Sequence, residues 1–221
     1  MGRLLATIDG PKEYIRCHEA RNSSALAVSH SASSMRSPTA GQHKWLETDT
    51  ETIWHERYTN CDYGYYVSLG AGVVAHSEHS PNPNHGFLVA LPDVGRTAWA
   101  SIEDNRFIWV TAHYNSTDYE TLSVIAKDQL EVTEEGKQRF RVVSRSSTKL
   151  AGLPALQFML EYDAGGSHIL EKQIIALRAD VVYILGLRTL QPNLDEDEGQ
   201  LLRIRAGFRL LRLPRGPCSN G

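Results

Sequence analysis

The chain contains few cysteines and no long hydrophobic run. Its three cysteines, Cys17, Cys61 and Cys218, lie far apart, and none belongs to a Cys-x-x-Cys pair. An odd number of cysteines cannot pair completely within one chain, and this spacing matches neither a zinc motif nor a redox motif. We therefore interpret them as three independent thiols. No apolar run approaches the roughly 18 residues that a membrane helix requires, so no membrane span is expected.

A strong excess of charge of either sign is also missing. The 221 residues have a formal net charge of −3, with 22% charged and 41% hydrophobic residues. These values are typical of a globular domain, and they exclude a chain that is disordered throughout. They provide no general attraction to nucleic acid, so no nucleic-acid partner is predicted.

The N-terminal part is rich in serine and has no periodic apolar face. Residues 22–41 carry seven serines, and such a stretch buries too little surface to offset the entropy lost on ordering. We predict a disordered Ser-rich leader or linker over 1–45, a single domain over 46–213 and a tail over 214–221. Asp9 ends the first apolar patch too early for a signal peptide, which predicts a cytoplasmic location; a start site elsewhere would allow an envelope or secreted protein.

Turn residues divide the remaining chain into regular segments. Helical spacing of apolar residues predicts helices over 118–135 and 194–208, and Thr117 with Glu120 forms a capping box before the first helix. The order βββ-α-ββββ-α predicts an α+β fold, in which an antiparallel meander sheet is flanked by two helices. The predicted strands are 63–69, 86–91, 106–113, 139–147, 155–163, 168–178 and 181–189.

Short motifs stand where the predicted elements meet. They are Asn60-Cys-Asp-Tyr-Gly-Tyr-Tyr-Val-Ser-Leu69, His85-Gly-Phe87, Gly152-Leu-Pro-Ala155 and Arg205-Ala-Gly-Phe-Arg209. With these motifs in this order, residues 55–212 resemble the PsbP-like family, which includes the PsbP subunit of photosystem II and uncharacterised bacterial proteins. The sequence departs from the family pattern at Gly70, where a proline is usual, and at Gly207, where a serine is usual.

The resemblance implies a fold and a class of function. The fold would be the PsbP-like α/β/α sandwich. The function would be that of a non-catalytic, protein-binding or accessory module, and the chain would be a bacterial protein whose partner is another protein. The resemblance implies no catalytic residue and no cofactor. The residues agree with this expectation, because the chain contains no Gly-x-Ser-x-Gly elbow, phosphate loop or dinucleotide fingerprint. We therefore expect no enzymatic activity.

A histidine-rich loop supports an alternative function. His76, Glu78, His79 and His85 place three imidazoles and a carboxylate within ten residues, and Zn²⁺ favours tetrahedral ligation by nitrogen and oxygen. The spacing matches no known zinc motif, and a solvated polar loop accounts for the same residues. A small metal-binding protein that uses this loop is the alternative interpretation.

Arginine dominates the cations and is concentrated on one predicted strand. Of the 23 cations, 17 are Arg, whose planar guanidinium suits carboxylate partners. Arg139, Arg141 and Arg145 share strand parity, so they are predicted to point to one face of the sheet. They are the candidate docking residues for an acidic protein, and a solvated sheet face would account for them equally.

Overall fold

The computed structural model describes residues 25–27, 52–77, 85–91, 105–115 and 121–211. The helices are α1 (Leu122–Glu134) and α2 (Leu194–Gly207), and a 3-10 turn at Gln191–Asn193 leads into α2. The strands in chain order are β1 Ala25–Ala27, β2 Thr52–Trp54, β3 Arg57–Asn60, β4 Tyr65–Ser68, β5 Ala75–Ser77, β6 Gly86–Ala90, β7 Phe107–Tyr114, β8 Gln138–Leu150, β9 Leu153–Ala164, β10 Ser167–Arg178, β11 Val181–Leu190 and β12 Phe208–Leu210.

These strands form two antiparallel sheets. The larger has nine strands in the order β1-β2-β5-β6-β7-β11-β10-β9-β8, and the smaller has three in the order β12-β4-β3. The predicted fold class, a mostly antiparallel α+β fold with two helices, is confirmed. The small sheet was not predicted, because its pairing of Phe208–Leu210 with Tyr65–Val67 joins segments far apart in the chain.

The last four strands of the large sheet form a regular meander. β8 to β11 pair as consecutive neighbours, as the sequence predicts. The turns between β8 and β9 and between β9 and β10 contain two residues each, and all four residues have positive φ. Such turns match the right-handed twist of the strands they join, which explains why Gly152, Gly165 and Gly166 occur there.

The two helices cover opposite faces of this meander. On β11, Val182 and Ile184 point toward α1 and pack in one apolar cluster with Ile125. Tyr183 and Leu185 on the same strand belong to the other cluster, which includes residues of α2 and of the small sheet. This alternation is the period of two that a strand imposes on its side chains. The meander is therefore the middle layer of a sandwich.

The end of α2 lies directly on the small sheet. A Cβ atom placed on Gly207 would lie 2.1 Å from the carbonyl oxygen of Ser68, so a side chain at this position would require the backbone to move. The next residue, Phe208, is fully buried and stacks on Tyr65 with ring centroids 5.2 Å apart. Glycine at 207 is thus explained by close backbone contact.

Other predictions have mixed outcomes. Helix α1 begins at Leu122 after the N-cap Thr121, and the predicted capping box lies outside the described residues.

Cys61 is disulfide-bonded, so the interpretation of three independent thiols is wrong. Within the predicted leader, Ala25–Ala27 pairs with β2 as strand β1; the rest of 1–45 and the tail 214–221 lie outside the described residues.

Candidate protein-binding surface

Strand β8 forms an edge of the nine-stranded sheet. It is 13 residues long, and within the described part of the chain it pairs on one side only, with β9. Almost every residue of β8 is exposed, including Val142 and Val143. An edge strand presents backbone donors and acceptors that lack sheet partners, which makes it a potential docking element for another chain.

Two irregularities in β8 change which face its side chains occupy. The pairing with β9 shifts between Gln138 and Arg141 and again between Val142 and Ser144. As a result Arg141 lies opposite Glu161, whereas Arg145 lies opposite Phe158. These two β9 residues have opposite parity and therefore point to opposite faces. The prediction that the three arginines share one face is wrong, because a bulge inserts an extra residue into the alternation.

Arg139 and Arg141 project on the α2 side and pair with carboxylates of β9. Arg139 forms an ion pair with Asp163, and Nε of Arg141 donates to Oε2 of Glu161 at 2.8 Å. His168 contacts Asp163 at 3.2 Å through Nδ1. The hydrogen bond from His168 and the guanidinium of Arg139 hold the pKa of Asp163 below its ordinary value. The charges of these two arginines are therefore largely balanced within the protein.

Arg145 projects on the α1 side and has no such carboxylate. Its guanidinium lies 5.7 Å from the centroid of the Phe158 ring. Among the residues that the structure describes, no acidic side chain forms an ion pair with Arg145 or with Lys149 near the end of the strand. The uncompensated positive charge of β8 is thus located in its C-terminal half.

The histidine loop is only partly described. His76 is buried on β5, and Glu78 and His79 lie outside the described residues. Nδ1 of His85 lies 2.9 Å from the hydroxyl oxygen of Tyr63 and 2.8 Å from the carbonyl oxygen of Ala112. One ring nitrogen of His85 is therefore engaged by the fold. No group of three potential metal ligands occurs in the described segments, and the four-residue metal set stays a prediction.

A buried polar network on the α1 face was not predicted. The carboxylate of Glu171 is 1% exposed and accepts hydrogen bonds from Tyr162, from Gln173 at 2.6 Å and from Arg188 at 3.0 Å. Burial and the negative charge of Glu171 raise the pKa of Tyr162. Burial also lowers the pKa of Lys137, whose ammonium group lies 4.4 Å from the centroid of the Tyr162 ring.

A signal for this network is present in the sequence of β10. Glu171, Lys172 and Gln173 are consecutive and have apolar residues on both sides, Ile169-Leu170 before and Ile174-Ile175 after. Polar residues at the centre of such a strand must be buried together with partners, because an unpaired buried charge is costly. Lys172 satisfies this requirement on the opposite face through its ion pair with Glu198 of α2.

Comparison with known proteins identifies a likeness of fold. No family model and no curated protein matches the chain. Among solved structures, PsbP from the cyanobacterium Synechocystis is 12% identical, with 77% of this chain and 98% of that chain covered and a TM-score of 0.48. LpqN, involved in cell envelope biogenesis of Mycobacterium tuberculosis, is 13% identical, with 76% and 88% covered and a TM-score of 0.35.

A protein of unknown function from Pseudomonas aeruginosa is 18% identical, with 51% of this chain and 74% of that chain covered and a TM-score of 0.39. At these identities and TM-scores the likeness transfers no residue role and no function. In the described part of the chain, no helix combines the length and the apolar character needed to cross a bilayer.

Proposed function

We propose that this chain is a non-catalytic accessory module of the PsbP-like kind that binds another protein along strand β8. The observation that carries the proposal is the exposed 13-residue edge, which pairs with β9 alone in the described chain. Backbone groups at such an edge are available to a partner, and flanking side chains select which partner is accepted.

The charge of β8 favours an acidic partner. The strand contains Arg139, Arg141, Arg145 and Lys149 and no acidic residue. Arg139 and Arg141 already pair with Asp163 and Glu161, so the attraction arises mainly from Arg145 and Lys149. Charge complementarity of this kind accelerates association and suppresses wrong partners.

The absence of a catalytic role is part of the same proposal. The best-buried carboxylate on the α1 face, Glu171, is fully occupied by Tyr162, Gln173 and Arg188. Bonds of this type hold neighbouring strands together. A structural role accounts for the network without any substrate.

Affinity purification from host extract tests the proposal. The tagged full chain is compared with the double variant Arg145→Glu/Lys149→Glu and with a control of equal charge change, Lys127→Glu/Arg203→Glu, whose residues are exposed on α1 and α2. We expect a protein captured by the wild type and by the control to be reduced at least about tenfold with the β8 variant, because attraction becomes repulsion.

The Arg145 and Lys149 pair is preferred to Arg139 and Arg141 for this test. Reversing Arg139 or Arg141 would place an acid beside Asp163 or Glu161 and would perturb the sheet itself. Circular dichroism and thermal unfolding verify that each variant is folded. If the same protein is captured equally by all three folded chains, β8 is not the docking surface.

A further inference from the structure

The turn between β8 and β9 determines which backbone groups of β8 face outward. In a hairpin with a two-residue turn, the residues that flank the turn exchange hydrogen bonds, and hydrogen-bonded and non-hydrogen-bonded pairs then alternate. Leu150 and Leu153 flank this turn. The alternation starts from the hydrogen-bonded pair at Leu150 and runs back along the regular part of β8. It places Lys149, Ser147 and Arg145 in non-hydrogen-bonded pairs. Their N–H and C=O groups therefore point away from β9.

Independent features of the structure agree with this assignment of hydrogen-bonded and non-hydrogen-bonded pairs. Lys149 lies opposite Pro154, which has no N–H and is compatible only with a non-hydrogen-bonded position on that side. The carbonyl oxygen of Lys149 accepts a hydrogen bond from Arg205 of α2 at 2.8 Å, so it does point outward from the strand pair. The outward groups of Arg145 and Ser147 have no bonding partner among the described residues.

The side chains of the same three residues lie on one face. Arg145, Ser147 and Lys149 alternate with residues that face α2, such as Thr148, whose hydroxyl accepts a hydrogen bond from Arg205. Residues 145–149 of the described strand therefore combine two features. They carry cations that have no acidic partner, and they present backbone groups that point outward. The two cations are four residues apart, which in an extended chain places them on the same side.

These observations identify one kind of occupant. An added strand with carboxylates four residues apart would place them opposite Arg145 and Lys149 while it bonds to the outward backbone groups of Arg145 and Ser147. A second copy of β8 arranged symmetrically about Ser147 would instead place Arg145 opposite Lys149. Like charges directly opposite one another on neighbouring strands are destabilising. An acidic segment is therefore favoured over self-association.

We propose that β8 binds its partner by strand addition, in which an extended acidic segment of the partner pairs with residues 145–149. The inference rests on the proposed protein-binding function and specifies its mode and the chemistry of the partner. The bulges N-terminal to Ser144 limit the added ladder to this regular part of the strand, since a bulge disrupts the pairing on its strand.

A synthetic peptide with blocked ends, Thr-Glu-Val-Thr-Val-Glu-Thr, tests this inference. Its two glutamates are four residues apart. Nuclear magnetic resonance titration of the full chain should shift the amide signals of Arg145 and Ser147. In Ser147→Pro we expect the dissociation constant to increase at least about tenfold, because proline removes an outward N–H and blocks the incoming strand. Ser147→Ala keeps that N–H and should bind within about twofold of the wild type.

Further arms distinguish strand addition from non-specific peptide binding and from self-association. The same peptide with lysine in place of both glutamates should not bind detectably. Equal binding of the peptide by folded Ser147→Pro and by the wild type would overturn strand addition, and equal binding of the lysine peptide would overturn the acidic preference. A wild-type dimer in sedimentation that dissociates in Ser147→Pro, with no peptide binding, would make a second copy the occupant and would also overturn it.

Failure of strand addition can be told apart from failure of the docking surface. If host-protein capture is lost in Arg145→Glu/Lys149→Glu but persists in Ser147→Pro, strand addition is wrong and docking through the side chains of β8 stands. If capture persists in both folded variants, the docking surface itself is wrong.

Discussion

The two helices cover opposite faces of one meander, yet they are attached to it by different interactions. Asp197 of α2 is 1% exposed and accepts hydrogen bonds from Arg106 at 2.7 Å and from Thr189. Glu198 pairs with Lys172. Helix α2 is therefore attached through charges as well as through buried Leu201 and Ile204.

The attachment of helix α1 is mostly apolar, and its Asp128 also interacts electrostatically with His113 of β7. Its packing on the sheet includes an apolar cluster around Ile125 and Ala126 and a neutral hydrogen bond, from Gln173 to Thr133 at 3.1 Å. The carboxylate on that face, Glu171, bonds within the sheet and not to the helix. Two helices that pack on one sheet can thus differ in local stability.

The largest expected effect is on the charged attachment of α2. Asp197→Asn should lower the free energy of unfolding by about 3 kcal/mol, because the partly buried Arg106 loses its buried carboxylate partner and the exposed Glu196, at 3.8 Å, replaces it poorly. Urea denaturation measures the change. Asp195→Asn is the matched control, since Asp195 is exposed in the same helical turn, and it should cost about 0.5 kcal/mol or less. Equal costs for the two variants would show that the buried attachment contributes little.

An intermediate effect concerns the local opening of the helices. Segments with few buried contacts open at free energies below that of global unfolding. Native-state hydrogen exchange should therefore show that amides of α1 exchange through a lower-energy opening than amides of α2 do. The amides of Ile125 and Ile204, each from a buried position, form a suitable pair for comparison. Equal protection at both would contradict the proposed difference in attachment.

The smallest expected effect is a dependence of protein stability on pH, which arises on the α1 face of the sheet. Burial lowers the pKa of His113 from its ordinary value of 6.5, the nearby His85 lowers it further, and Asp128 of α1 opposes both. Below pH 6.5 the unfolded chain binds this proton more readily than the folded chain, so stability decreases as pH falls. Unfolding at about pH 7.5 and about pH 5.5 should show a smaller decrease in His113→Gln than in the wild type. Identical decreases would exclude His113 as a contributor.

The sequence predicts the elements whose periodicity extends over many residues. The four meander strands and α2 were located closely, because each carries a long alternating or helical pattern. Strands β1, β2, β3, β5 and β12 were missed, since each has only three or four residues. Segments this short carry little periodic signal and are fixed by distant partners.

The candidate surface was predicted in part. The exposure of Arg139, Arg141 and Arg145 follows from charge, and the structure places all three on an exposed strand. Their division between two faces could not be predicted, because the positive φ of Arg139 and the shift before Ser144 depend on pairing with β9. Their role in binding a partner stays a prediction.

The bulges of β8 have a consequence for the lifetime of any complex formed there. They leave an uninterrupted ladder only over the last few residues of the strand, so an incoming segment gains a small number of backbone bonds. Affinity differences between related complexes reside mostly in the dissociation rate. A short ladder thus favours a brief residence time for any segment that binds there.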